Sequence, residues 1–162
     1  MQKRGQAALE FLTTYGWAFL VILIMIGALA YFGILKPSRL LPERCTFGSE
    51  IGCQDFGLDT VNGNVTLRLK NSVGDTIIID NINFTSESRI PFKCDGTRTY
   101  APSATMPNGG IIDFQVGTCN YAEAGMVSGE KGKISVTVSY YTAKSGPTYM
   151  HNIQGEVYAT VR

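Results

Sequence analysis

Between Glu10 and Lys36 the chain carries no charged residue. Phe11 to Leu35 is a run of 25 residues whose polarity is interrupted mainly by Thr13 and Thr14. As a helix it would be roughly 37 Å long, enough to cross a hydrocarbon core of about 30 Å with some tilt. From Trp17 to Ile26 there is no polar face at all, so this cannot be the surface helix of a soluble domain. It needs lipid or other apolar helices around it. Lys36-Pro37 closes the run, since proline disfavours helical geometry in the residue before it. Lys3 and Arg4 precede it, and paired positive charges hold that end in the cytoplasm, so that the rest of the chain is exported.

With 162 residues, the chain has room for this element and one domain of ordinary size, and a multidomain enzyme is excluded. Lys and Arg number 14 against 13 Asp and Glu, with no basic patch, which argues against a nucleic-acid partner. Beyond Pro42 the hydropathy pattern alternates, the mark of β-structure. Val65, Leu67 and Leu69 alternate with Thr66, Arg68 and Lys70. The loop 71–75 reads as a hairpin into 76–82, where Ile77-Ile78-Ile79 implies burial on both faces. Residues 112–116, 134–141 and 153–161 give three more strands, the last two joined by a hairpin over 142–152 in which His151 is a loop residue. Segments 43–62 and 93–110 admit short strands that alternation does not locate. The expected fold class is α+β: a long N-terminal apolar helix followed by a small antiparallel all-β domain, sandwich-like, over 36–162.

All four cysteines, Cys45, Cys53, Cys94 and Cys119, fall on the exported side, where an even count favours disulfides. Of three possible connectivities, Cys45–Cys53 with Cys94–Cys119 is preferred, because the short first gap closes cheaply and the second pair flanks a loop and strand. No Cys-x2-Cys spacing supports zinc, and a single histidine restricts acid–base and triad arrangements. No haem or phosphate-loop motif occurs, so no cofactor, metal or catalytic residue is expected. Asn64-Val65-Thr66 and Asn83-Phe84-Thr85 match the N-glycosylation sequon, and strand parity turns both asparagines away from the core. Tyr121, Tyr141, Tyr149 and Tyr158 are candidates for an exposed carbohydrate platform.

Glu10 distinguishes this chain from a plain anchor, for a carboxylate inside a bilayer costs about 2.5–3.5 kcal/mol unless something neutralises it. Lys3-Arg4-Gly5, then Gln6-Ala7-Ala8-Leu9-Glu10 and a long apolar helix, resembles the class III signal peptide of archaeal type IV pilins. The resemblance covers roughly residues 3–35, with Ala8 where the family often has serine. It implies a leader of residues 1–5 cut between Gly5 and Gln6 by a prepilin peptidase, and a retained helix over 6–35. It further implies that Glu10 pairs with the new amino group on Gln6 of a neighbouring subunit. The function it implies is a structural, non-enzymatic subunit of a homo-oligomeric adhesion filament, inserted in the membrane before an assembly machinery extracts it to the cell surface. The alternatives are a single-pass anchor bearing an extracellular binding module, and a secretory signal cut after Ala28-Leu29-Ala30.

Overall fold

The computed structural model describes residues 3–33, 41–96, 98–101 and 104–162. The chain separates into two compact units, Met1–Leu41 and Pro42–Arg162. The first holds one helix, α1, Lys3–Tyr31. It begins two residues before Gly5, so the expected cleavage junction lies inside a continuous helix in the uncut chain. It stops four residues short of the expected Leu35, because Gly33 takes a left-handed φ of 69° and its amide turns back to the Ala30 carbonyl at 3.1 Å. Lys36-Pro37 lies outside the described residues.

The second unit is a sandwich of two antiparallel sheets. Its strands are β1 Arg44–Thr46, β2 Ile51–Asp59, β3 Asn64–Asn71, β4 Ile77–Thr85, β5 Arg98–Ala101, β6 Thr105–Met106, β7 Ile111–Val116, β8 Lys131–Thr142 and β9 His151–Thr160. One sheet has the order β1-β9-β8-β4-β6 and the other β2-β3-β7-β5. Alternate residues of each strand meet between the layers, where Val65, Leu69, Ile82, Ile112, Val136 and Val157 are wholly buried. Gly155, in the middle of β9, leaves the space that the Phe47 ring fills, so a side chain there would collide with it.

The five strands expected from alternation are β3, β4, β7, β8 and β9, and β8 and β9 form the expected hairpin with Tyr140 opposite His151. His151 is thus the first residue of a strand, and not a loop residue. The 71–75 segment is not a hairpin. Both edges of β3 are taken, by β2 and β7, so the chain must cross to the other layer before β4 can pair with β8. Nor is the isoleucine triplet buried on both faces: Ile77 and Ile79 point into the core, while Ile78 lies half-buried opposite Tyr141 on a face that no further layer covers. The segments that alternation left open contribute β1, β2, β5 and β6.

Both sides of the sandwich are closed. On one side Cys45 of β1 is bonded to Cys53 of β2, tying an edge of each sheet to the other. Further along, Leu58 bridges Val161, and the Thr60 amide donates to the Arg162 carbonyl at 2.7 Å. On the other side the chain itself passes from β5 in one sheet to β6 in the other. The second disulfide, Cys94–Cys119, pins the long 117–130 loop to the segment before β5. Both pairings are the preferred ones.

The crossing at 71–75 is fixed by Asn71, a fully buried polar residue. Its Nδ2 donates to the carbonyls of Asp75, Met106 and Pro107 at 2.7–3.1 Å, and its Oδ1 accepts from the Val73 amide at 2.9 Å. Two connecting segments, the 71–75 crossing and the turn after β6, therefore share one side chain. Asn71→Ala strands several buried backbone groups and should lower the unfolding free energy by about 3 kcal/mol. Asn81→Ala, on an outer face, should stay within about 0.5 kcal/mol in the same urea titration.

Candidate functional site: the uncovered helix and the sandwich faces

Along α1 the apolar span Leu9–Tyr31 covers 23 residues, and every described side chain in it is exposed. Trp17 is 72% exposed and Ile24 62%. Apolar side chains point in every direction, as expected of a helix whose partners are lipid or other helices. Thr13 and Thr14, the polar exceptions, return their hydroxyls to the carbonyls of Leu9 and Glu10 at 2.8–3.1 Å and so present no unsatisfied donor sideways. Phe11 and Tyr15 stack one turn apart, with ring centroids 4.5 Å apart. Gly16 and Gly27 are open, and a Cβ at either would touch nothing within the chain. Glu10 stands exposed on this helix one residue into the span, and Gly5 and Gln6 occupy its first turns.

In the β domain the two outward faces differ in chemistry. On the four-stranded sheet Arg68 makes a fork to Asp113, Nε to Oδ1 at 2.5 Å and Nη2 to Oδ2 at 2.8 Å. The hydrogen bond from Arg68 and its charge hold the Asp113 carboxyl below the usual range. Beside it a shallow groove of about 460 Å³ runs over Gly57, lined by Asp55, Thr66, Gln115 and Arg162. The five-stranded sheet carries one group of ion pairs at the end where the chain enters. There Lys133 meets Glu156 at 3.1 Å and Glu87 at 3.5 Å, and Arg44 lies 3.8 Å from Glu156. At this end too, the Thr160 amide and hydroxyl donate to Glu43 and hold its carboxyl low.

The sites expected from sequence do not converge. Asn64 and Asn83 stand on different sheets, one disulfide joins β1 to β2, and the other ties the 117–130 loop to the segment before β5. No cluster of potential metal ligands occurs among the described residues. The expected tyrosine platform is not assembled, for Tyr121 is buried between the layers, its ring 5.0 Å from Phe92 and its hydroxyl donating to the Asn64 carbonyl at 2.6 Å. Tyr141 and Tyr158 are half-buried, and Tyr149 is exposed on the 143–150 loop. His151 stacks on Tyr140, with centroids 5.5 Å apart. What sequence reading missed is Asn71, whose burial depends on two distant segments meeting, and the contrast between the two faces. The latter is written in the parity of residues 81–85, 135–139 and 152–156.

No family model matches the sequence, and no curated protein does. Among solved structures, the ASH / PapD-like domain of human CEP192 (PapD-like domain 7) is similar over 70% of this chain and 86% of that one, at 11% identity and a TM-score of 0.34. A likeness so remote does not bear on function. The chain is thus defined by its parts: an apolar N-terminal helix long enough to cross a membrane, followed by an antiparallel two-sheet domain with two disulfides. Disulfides of this kind suit an oxidising, extracellular setting.

Burial raises the pKa of the Tyr140 phenol to about 12, its hydroxyl donating to Glu50 at 2.6 Å, and burial raises Tyr121 further still. Each folded value lies above the unfolded value of about 10. Their contribution is therefore complete below pH 10 and is lost as the pH rises toward 12, where the unfolded chain releases protons that the folded one keeps. Unfolding free energy should stay flat with respect to these groups up to about pH 10 and then fall, and Tyr140→Phe should make that fall shallower. Urea titrations between pH 8 and 12 measure both.

Proposed function

We propose that this chain is a structural subunit of an archaeal type IV pilus-like filament serving adhesion. In this reading α1, shortened by its leader, bundles with the same helix of neighbouring subunits as the filament core, and the β domain forms the outside. The observation that carries it is the exposed apolar span Leu9–Tyr31, bearing Glu10 five residues after Gly5. An apolar helix can pass from lipid to a bundle of like helices without meeting water, which is how such a subunit leaves the membrane. The small residues Gly16, Gly27 and Ala28 allow helices to approach closely. Glu10, costly in lipid, gains a partner in the amino group that cleavage creates on Gln6 of the next subunit. The reading assigns the chain no catalysis and no cofactor; its partners are a prepilin peptidase, an assembly machinery and copies of itself.

Three processing outcomes separate this function from its rivals. Terminal sequencing of sheared cell-surface filaments should begin at Gln6, whereas an uncleaved anchor begins at Met1 and a secretory product at Tyr31. Gly5→Leu should block cleavage and leave the protein in the membrane. Glu10→Ala should still be cleaved but lose at least ten-fold in filament yield, since removing about 2.5–3.5 kcal/mol of compensated charge also removes the contact that sets one helix against the next. Undiminished yield would take Glu10 out of assembly.

A further inference from the structure

The outer face of the four-stranded sheet has one gap in its cover of side chains. In register across β2, β3 and β7, Asp55, Arg68 and Asp113 form one row, and Gly57, Thr66 and Gln115 the next. The first row is filled by the fork between Arg68 and Asp113, with Asp55 opposite Arg68 on the other strand. The second row begins on a glycine. The groove of about 460 Å³ opens there, with Thr66, Gln115 and Arg162 in its lining, and sites for small molecules commonly occupy about 300–1,000 Å³. A side chain at Gly57 would crowd the Thr66 hydroxyl, which lies 2.8 Å from where its Cβ would stand. Glycine keeps both the groove and the hydroxyl accessible.

Its outward lining is polar. Leu67 and Phe114 are buried in the core, and Phe56, opposite Leu67, packs against that core as well. What faces outward is a set of hydroxyl, amide, carboxylate and guanidinium groups, which meets sugar hydroxyls with both donors and acceptors. The acids of this face are already engaged. Asp113 holds Arg68, Asp55 accepts from the Phe56 amide at 2.8 Å, and Asp59 accepts from the amides of Val61 and Asn62 and from the Asn62 side chain. Arg162 is placed differently. Its backbone is fixed, since its amide donates to the Leu58 carbonyl at 2.9 Å and its carbonyl accepts from the Thr60 amide and hydroxyl. Its exposed guanidinium forms no ion pair among the described residues. Glu43 senses its charge, but that carboxylate is taken up by the amide and hydroxyl of Thr160.

We propose that this groove binds a hexuronate unit of an acidic polysaccharide, with the sugar ring over Gly57, its carboxylate on the Arg162 guanidinium and its hydroxyls on Thr66 and Gln115. A guanidinium meets a carboxylate with two parallel hydrogen bonds, and the planar fork of Arg162 stands on a backbone already held in place. A ring with hydroxyls around its edge suits the uncharged groups of the second row. An acidic peptide offers the carboxylate but not those hydroxyls, and a neutral sugar offers the hydroxyls but leaves Arg162 without its anion. The site goes beyond the filament reading and does not depend on it, for the same groove is present whether the domain stands on a filament or on an anchor.

The test is a titration of the full-length protein, held in nanodiscs of neutral lipid, with hexagalacturonate, its methyl ester and hexaglutamate, followed by backbone amide shifts. Hexagalacturonate should shift the amides of Gly57, Thr66 and Gln115. The ester and the peptide should each bind about ten-fold more weakly, having lost the charge-assisted pair or the hydroxyl contacts. Arg162→Gln alters an exposed side chain, leaves the backbone bonds of that residue in place, and should weaken hexagalacturonate to the same extent. Lys70→Gln, on the same face but outside the groove, should leave binding unchanged. Equal binding of the ester overturns the role of the carboxylate, and equal binding of hexaglutamate overturns the sugar. An equal loss from Lys70→Gln replaces the site with diffuse attraction to positive charge and overturns it. Unmoved amides at Gly57 and Thr66 with every probe overturn the inference outright. The filament reading is tested separately, on the position of the amino terminus.

Discussion

Water cannot surround α1. Each large side chain such as Trp17, Phe19 or Ile24 left exposed forgoes about 1.5–3 kcal/mol that burial would provide, and the span presents them on all sides from Leu9 to Tyr31. The helix must therefore obtain its environment from outside the chain, first lipid and then, in the proposed filament, other helices. Helix–helix association among such surfaces gains little from hydrophobicity alone, because lipid is equally apolar. That shifts the weight onto close packing at glycine and alanine, and onto Glu10, the one group for which lipid and a helix bundle differ greatly.

The β domain solves a different problem. It has to keep two sheets together, and its edges are its weak points. The edge strands β1 and β6 are only three and two residues long, and the longest edge, β2, is tied by Cys45–Cys53 and by the C-terminal residues Val161 and Arg162. Each disulfide contributes about 2–4 kcal/mol, chiefly by restricting the unfolded chain. Asn71 does by hydrogen bonds at one end what the disulfide does by a covalent bond along one side.

Much of this was legible in the sequence because strict alternation leaves a record in one strand at a time. β3, with Val65, Leu67 and Leu69 against Thr66, Arg68 and Lys70, announces its inner face without reference to any neighbour. The helix was equally plain, and the disulfide pairing followed from spacing. What could not be read is what depends on two segments at once. The 71–75 loop has the composition of a hairpin, yet it crosses between layers because β7, some forty residues later, occupies the edge that β4 would need. The Ile77-Ile78-Ile79 run looks like a doubly buried strand because periodicity records how apolar a position is, and not whether a layer lies above it. Tyr121 failed as a surface residue for the same reason, since the disulfide at Cys119 turns that loop inward over Phe92.

Glu10 is the charged group in the apolar span that the chain alone leaves uncompensated. Its cost is least while Glu10 stays near the membrane edge, one residue into the span, and rises as it is drawn deeper into apolar surroundings. In the proposed filament a neighbour's amino group can appear there only after cleavage between Gly5 and Gln6. Under that proposal uncut subunits would carry an uncompensated charge into any bundle they enter, so the same carboxylate that favours assembly of processed subunits would disfavour assembly of unprocessed ones. Specificity of this kind needs no further contact. It follows from placing one charge where only one chemical event can neutralise it.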